Sequence, residues 1–510
     1  MEMITIVPAQ LEGGCRLSLN EGKILRLPDE FVSFYLSDEP GDTGWPRNGT
    51  LFEDSEFSGT GSVSFFDPVL NRSSFGILMI QKTENAVWRF HREKDVLTVI
   101  LSPGEWEFRS YEGNEPDWAF HGFPFRNLPE ESAELHHCRI RALLDFCAGT
   151  RTADEGFHYQ SPNSVIGKGY PGDGIPDTFF HFISVYDHLS EKRQGWFRKQ
   201  FEWLGDHMRF DGCIPWGGCI HGQPYYNVWK RTDCGMFFDG NGLWLEVMNK
   251  LTKDGYQADL AQVVRAADFY LHYLSPDGGV VAAESCLRGC EWADLIRSGW
   301  KCGLINIIAC HGLLAAENIL KIRGESELSA RYGFAAKRLK EALNRPTAEG
   351  GLWMGNGFAD WVRPDGSVAD TWRIDANMLA IIWDAATPEH AAELYTFFRK
   401  EIDRLNPPVP FPYLLRGRWD SPEDCMLDGC REFGCGTDAM PGRMGAAAAA
   451  AARKMGDVIF AGKIQKQLAD LINQNAFIWE KYSSDGTGYG SRSYIEHAVS
   501  VMLADAFSRY

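Results

Sequence analysis

Two short stretches set a carboxylate among groups that would tune it: Cys290-Glu291-Trp292-Ala293-Asp294 and Phe477-Ile478-Trp479-Glu480-Lys481-Tyr482. An acid surrounded by apolar or like-charged groups keeps its proton near neutral pH. Asp294, with Trp292 and Glu291 before it and Leu295-Ile296 after it, has both kinds of neighbour. Glu480 stands near Tyr482, Ser483 and Ser484, whose hydroxyls would keep it ionised. Two carboxyls in opposite protonation states are what cleavage of a glycosidic bond requires, one giving a proton to the leaving oxygen and the other activating water or attacking the anomeric carbon. Glu284 and Glu291 rival Asp294 for the first role, and Asp485, Glu432 and Glu496 rival Glu480 for the second.

Groups suited to gripping hydroxyls lie in the same parts of the chain. They are Asp173, Asp233 beside Arg231, Asp239, Arg373 with Asp375, and Arg492. Arg231 and Arg373, next to aromatic residues, also have the fork that pairs with a carboxylate on a ligand. Asp375 serves equally well as a charge complement at a helix start. Trp216, Trp229, Trp292, Trp353, Trp361, Trp372, Trp419 and Trp479 lie between the helical stretches. Flat indole rings there either cap the core or stack on sugar faces. Cys425, Cys430 and Cys435 recur at a spacing that matches no usual zinc pattern. Cys286 and Cys290 have no histidine nearby in sequence, His158 and His221 being the histidines between helices. No phosphate-binding glycine motif follows a strand. The chain calls for no cofactor and no metal.

The elements that must position these residues change character near residue 130. Before it, β-branched and aromatic runs predict strands at Val32–Leu36, Gly61–Phe66, Gly76–Gln81, Ala86–His91, Val96–Leu101 and Trp106–Tyr111, the rhythm of an antiparallel β-sandwich. Gly122–Pro129 reads as a linker. The division is a domain over 1–130 and a second over 131–510. In the second, helical periodicity predicts twelve helices, near 133–148, 175–189, 192–207, 234–251, 257–273, 299–322, 325–344, 374–385, 387–403, 437–455, 457–475 and 492–508. Long connectors (149–174, 208–233, 274–298, 345–373, 404–436 and 476–491) alternate with tight turns. Short links make antiparallel neighbours. Every long connector therefore falls on one end of the array, and long unstructured links are usually functional. Leu304–Ala316 and the alanine run Ala446–Ala452 predict central, closely packed helices. The repetition is architectural, with no repeated sequence motif.

A β-domain, a linker and six helical hairpins, in that order, resemble the six-hairpin glycosidases, which are mostly α (α/α)6 toroids with an N-terminal β-sandwich. The resemblance spans the chain in architecture and rests on three segments in sequence. Cys290-Glu291-Trp292-Ala293-Asp294 resembles the acidic-Trp-x-Asp segment of amylo-glucosidase-like and cellobiose-phosphorylase-like enzymes, with Ala293 where an Asn is expected. An acidic residue there is the general acid. Phe477 to Tyr482, followed by Asp485-Gly486-Thr487-Gly488-Tyr489, resembles the last connector of mannosylglycerate-hydrolase-like and processing-glucosidase-like enzymes, whose Glu is the general base. Phe238-Asp239-Gly240-Asn241-Gly242-Leu243-Trp244-Leu245 resembles the start of an inner helix whose Asp binds a sugar hydroxyl, and Asp211-Gly212-Cys213-Ile214-Pro215-Trp216 resembles the loop before it.

The resemblance implies a glycoside hydrolase acting on a small glycoside or an oligosaccharide end, with inversion. Asp294 would protonate the leaving oxygen and Glu480 would direct water. Trp216, Trp229, Arg231, Asp233, Asp239, Glu291, Trp292, Trp361, Arg373, Trp479 and Tyr489 would hold the substrate. Two alternatives stay open. One is a polysaccharide lyase or sugar isomerase on the same toroid, using His221, Tyr225 and Tyr226. The other is a carbohydrate-binding protein without catalysis.

Composition narrows the partners. Across 510 residues the formal charge is −18, which repels phosphate backbones and argues against nucleic acid. No unbroken run of 18 apolar residues occurs, so no membrane span is expected. The first residues lack a basic region and an apolar core, and the 13 cysteines are odd in number and scattered. A reducing cytoplasm is the expected setting. The partner is a carbohydrate substrate, and a homo-oligomer is compatible with the sequence.

Overall fold

A computed structural model describes the backbone of ten strands within residues 3–111, two short strands at 150–152 and 158–160, helical positions at 135, 138 and 139, and the chain from 175 onward except 190, 219–223, 227–236, 277–278, 284–290, 294–295, 420–439, 475–478 and 493–499. The ten strands are β1 (Met3–Thr5), β2 (Cys15–Leu19), β3 (Lys23–Leu27), β4 (Ser33–Leu36), β5 (Ser55–Ser58), β6 (Gly61–Phe66), β7 (Gly76–Gln81), β8 (Val87–Glu93), β9 (Val96–Leu101) and β10 (Gly104–Tyr111). They form two five-stranded sheets, ordered β1-β3-β9-β8-β5 and β2-β10-β7-β6-β4. All pairings are antiparallel except β1 with β3. The runs read from sequence fall on β4 and β6 to β10. The short strands β1, β2, β3 and β5 lacked a strong enough apolar pattern to be seen.

Eleven helices follow among the described residues: α1 (Ile175–Val185), α2 (Glu191–Asp206), α3 (Asp239–Lys253), α4 (Leu260–His272), α5 (Gly303–Ile322), α6 (Ser326–Leu343), α7 (Ile374–Ile382), α8 (Pro388–Leu405), α9 (Gly442–Lys454), α10 (Val458–Gln474) and α11 (Ser500–Phe507). The odd-numbered helices pack each on the next, and α11 packs back on α1, so six inner helices close into a ring. The even-numbered helices lie outside, each against its inner neighbours. Local chemistry sets several ends. The Asp259 side chain accepts from the Ala261 amide to start α4, and Thr387 accepts from the His390 amide, with Pro388 in the first turn, to start α8. The expected helix at 437–455 begins later, at Gly442. Met440 is extended and pairs with Tyr482, as suits a residue before a proline. Arg492, expected to open the last helix, ends the strand Gly488–Arg492 instead.

Small residues let the inner helices touch. A Cβ built at Gly312 in α5 would lie 2.5 Å from the Gly242 Cα in α3, so the two backbones meet without side chains between them. Ala446–Ala452 of α9 are buried as α9 packs on α7, α10 and α11. Helix α5 is long and apolar enough by composition to cross a bilayer, but 83% of that window is buried as part of the inner ring.

One device recurs where chain enters an inner helix. Asn241 accepts from the Ile214 amide (3.1 Å) and donates to the Gly212 and Ala266 carbonyls. Asn306 accepts from the Val281 amide (2.6 Å) and donates to the Val281 and Cys302 carbonyls. Asn377 accepts from the Phe358 amide (2.8 Å) and donates to the Arg373 carbonyl. In each case a buried amide in the first turn of an inner helix seizes the connector that precedes it.

Candidate active site

The long connectors join outer-helix C-termini to inner-helix N-termini, and they are tied to one another along that rim. Short strands Lys301–Cys302 and Trp361–Val362 pair, and the Gly303 amide donates to the Asp360 carbonyl. The Ile374 amide donates to Tyr413 O, and Trp419 Nε1 donates to Asp360 Oδ2 (2.9 Å). Met440 and Tyr482 exchange backbone hydrogen bonds. Four successive connectors, those leading into α5, α7, α9 and α11, are thus knitted side by side.

The rim carries a buried ionic cluster. Arg373 lies between Glu291 and Asp375, all three essentially without solvent contact. Its Nη1 and Nη2 donate to Glu291 Oε1 (2.8 Å) and Oε2 (3.1 Å), its Nε donates to Asp375 Oδ1 (2.6 Å), and Nη2 also reaches Asp375 Oδ2 (3.0 Å). Asp360 Oδ1 stands 3.7 Å from Nη1, and Asp360 Oδ2 accepts from Thr371 and Trp419. Glu291 also accepts from the Ala293 amide (2.7 Å) and from Ser298 (3.2 Å). Trp292 Nε1 donates to Asp375 Oδ2 (2.9 Å), and Arg443 lies over the Trp292 ring while donating to the Tyr413 hydroxyl.

The environment splits these acids. Burial would raise Asp375, but Arg373, with help from Arg443 and the Trp292 N–H, holds its carboxyl below the ordinary range. Burial pushes Asp360 up to about 6 against the pull of Arg373. Asp239, at the first position of α3, is raised well above the ordinary range by burial and then by the charge of Glu291. Neither of its oxygens meets hydrogen-bond geometry with any described group, and the Gly240 and Trp292 amides facing it offset the shift only in part. Asp239 therefore holds its proton more tightly than an ordinary carboxyl does.

Several residues read as substrate contacts serve the frame instead. Arg373 has committed its donors to Glu291 and Asp375 and has no fork left for a ligand carboxylate. Glu291 has both oxygens taken, which also removes it as a rival proton donor. Trp361 is 1% exposed and sits in the core, as do Trp372 and Trp419. Trp216 and Trp292 keep 9% exposure each. Trp229, Arg231, Asp233 and Asp294 lie outside the described residues, as do His221 and the Cys425, Cys430 and Cys435 series. Trp479 and Glu480 lie in a strand, Trp479–Tyr482, that pairs with Gly488–Arg492, which contains Tyr489; only their backbone is described. The Tyr226 hydroxyl, a candidate proton-transfer group for a lyase, donates to the His207 carbonyl (2.6 Å). Asp360 was missed by the sequence reading. Its neighbours Ala359 and Trp361 gave no sign of a partner near residue 373 or 419.

The ring of inner helices and the shared rim have counterparts among solved structures. A bacterial glucoamylase complexed with acarbose aligns with TM-score 0.52 at 11% identity, over 88% of this chain and 77% of that chain. A GH78 family rhamnosidase of Bacillus sp. GL1 aligns with TM-score 0.54 at 10% identity, over 89% of this chain and 46% of that one. The GH63 mannosylglycerate hydrolase from Thermus thermophilus, in complex with Tris, aligns with TM-score 0.50 at 12% identity, over 72% of this chain and 99% of that one. This chain has the toroid fold of these structures. No protein-family model matches the sequence, and no curated protein matches it. At such identities the likeness establishes the toroid and leaves the chemistry to the rim, where Asp239, Glu291, Asp360 and Asp375 gather at the inner-helix N-termini.

Proposed function

We propose that the chain is a glycoside hydrolase that cleaves a small glycoside or an oligosaccharide end at this rim. The supporting observation is the convergence of four long connectors on one rim of a toroid whose structural neighbours are glycosidases. In this reading Asp294, one residue beyond the anchored Glu291–Ala293 turn, gives its proton to the glycosidic oxygen as the bond to the anomeric carbon breaks. Water adds to that carbon from the opposite face and yields its proton to Glu480, so one water is consumed and the two carboxyls exchange states. An inverting reaction requires carboxyls about 6.5–9.5 Å apart. Asp239 and Trp216 join Trp229, Arg231, Asp233, Trp479 and Tyr489 as substrate contacts, while Glu291, Trp292, Arg373 and Trp361 hold the frame. The β-rich residues 1–130 form a sandwich domain ahead of the catalytic domain 131–510, and the enzyme works in the cytoplasm without metal or cofactor.

A screen of chromogenic and natural glycosides, with Asp294→Asn and Glu480→Gln beside wild type, tests the reading. Each substitution should lower turnover about 10²–10⁴-fold, the usual contribution of a general acid or base. The anomer released first, read by NMR, reports inversion. Unchanged turnover in both variants would refute the assignment, and an ultraviolet-absorbing unsaturated product would replace hydrolysis with elimination.

A further inference from the structure

Glu291 and Trp292 are consecutive, and each grips a different member of one pair on the neighbouring connector. Glu291 takes the Arg373 fork, 82 positions away, and Trp292 Nε1 reaches Asp375, 83 positions away. Arg373 and Asp375 are bonded to each other (2.6 and 3.0 Å). The four side chains therefore close into a polar ring, two from each connector. Inside it, the Ala293 amide is bound to Glu291 Oε2, which folds the backbone into a tight turn. Such a ring removes the freedom of the chain up to the residue before 294.

We propose that Trp292, Arg373 and Asp375 are positioning residues for the proton donor, closing with Glu291 into a ring that holds the Glu291–Ala293 turn immediately before it in sequence. The inference rests on the reading of Asp294 as the acid. Its consequence is specific, because a misdirected donor harms only reactions that need the proton. A phenyl or alkyl glycoside needs it, whereas a dinitrophenyl glycoside releases dinitrophenolate, a stable anion, without it.

The test uses the full chain and the phenyl and 2,4-dinitrophenyl glycosides of whichever pyranose the screen returns. Trp292→Phe removes one N–H and keeps an aromatic ring; Asp375→Asn keeps shape and removes the charge opposite Arg373. Each should lower kcat on the phenyl glycoside about tenfold or more, a part of what general acid catalysis supplies, and leave the dinitrophenyl glycoside within about twofold. KM should stay near wild type. Equal losses on both substrates, a rise in KM alone, or no loss on either would overturn the positioning role. If Asp375→Asn does not fold, as judged by its thermal transition, Trp292→Phe carries the test alone. Asp294→Asn, run alongside, should show the same selectivity more strongly. Wild-type turnover of the phenyl glycoside by that variant, or no cleavage of any glycoside by the wild-type chain, would refute the parent reading instead.

Discussion

Arg373 organises the rim because a guanidinium is planar and carries five donors. A lysine at this position would offer a single ammonium and could not serve Glu291 and Asp375 in two parallel forks. Removing one partner of a buried pair leaves the other charge uncompensated, at a typical cost of about 3–5 kcal/mol. Asp360, on the edge of the same cluster, supplies a pH signature. Its carboxyl is raised in the folded state, so the folded chain binds that proton more tightly than the unfolded chain does. Its contribution to stability is present at low pH and is lost as pH rises from the ordinary 3.8 through about 6. Asp360→Asn should therefore gain stability relative to wild type as pH rises across that window. Chemical denaturation at several pH values measures it, and a pH-independent difference would remove the assignment. Sequence made part of this site visible: it marked Glu291 and Trp292 in one segment and, separately, Arg373 with Asp375 in another. It could not show that they bind one another, because the pairing spans two connectors and depends on ring closure. Arg373 was consequently read as a ligand fork. The indoles of Trp361, Trp372 and Trp419 were equally ambiguous, since covered and used tryptophans have the same local sequence and only long-range packing separates them.

At the scale of the element, the three asparagines Asn241, Asn306 and Asn377 do the work that N-caps do elsewhere. Phe238, Cys302 and Arg373, the residues before α3, α5 and α7, make no side-chain capping bond. The asparagine inside the first turn spends its amide on the incoming connector instead. Asn306→Ala would leave the Val281 amide and carbonyl without these bonds in the core, and an unsatisfied buried group costs about 1–3 kcal/mol. We expect about 3 kcal/mol for this substitution and less than about 1 kcal/mol for Asn318→Ala, whose partner Asn249 is another polar side chain. Urea unfolding of both variants compares them, and equal losses would deny the connector-holding role. Helical periodicity, the long connectors and the central alanine run were legible from the sequence because each is a local pattern. The asparagine device was not. The residues it captures, Ile214, Val281 and Phe358, share no motif, so no sequence period marks it.

For the molecule as a whole, closure of the ring is the stabilising event. Helix α11 fills the gap between α9 and α1, Arg509 donates to the Ile183 carbonyl (2.7 Å), and Asp505 pairs with Arg139 and Arg453. A chain stopped after residue 499 would expose the apolar inner faces of α1 and α9 to water. It should lose its cooperative thermal transition and bind a hydrophobic dye; a truncated chain with a wild-type transition would contradict ring closure. The glycine contact between α3 and α5 has a different consequence. Gly242 lies three residues past the start of α3, whereas the groups it meets, Ile308 and Gly312, lie five and nine past the start of α5. The two neighbouring rods are out of step by roughly two to six residues, or about 3–9 Å along the axis. The first turn of α3, which carries the buried Asp239, is therefore set back along the axis from the first turn of α5. Between these two helices the edge of the ring is stepped, not level.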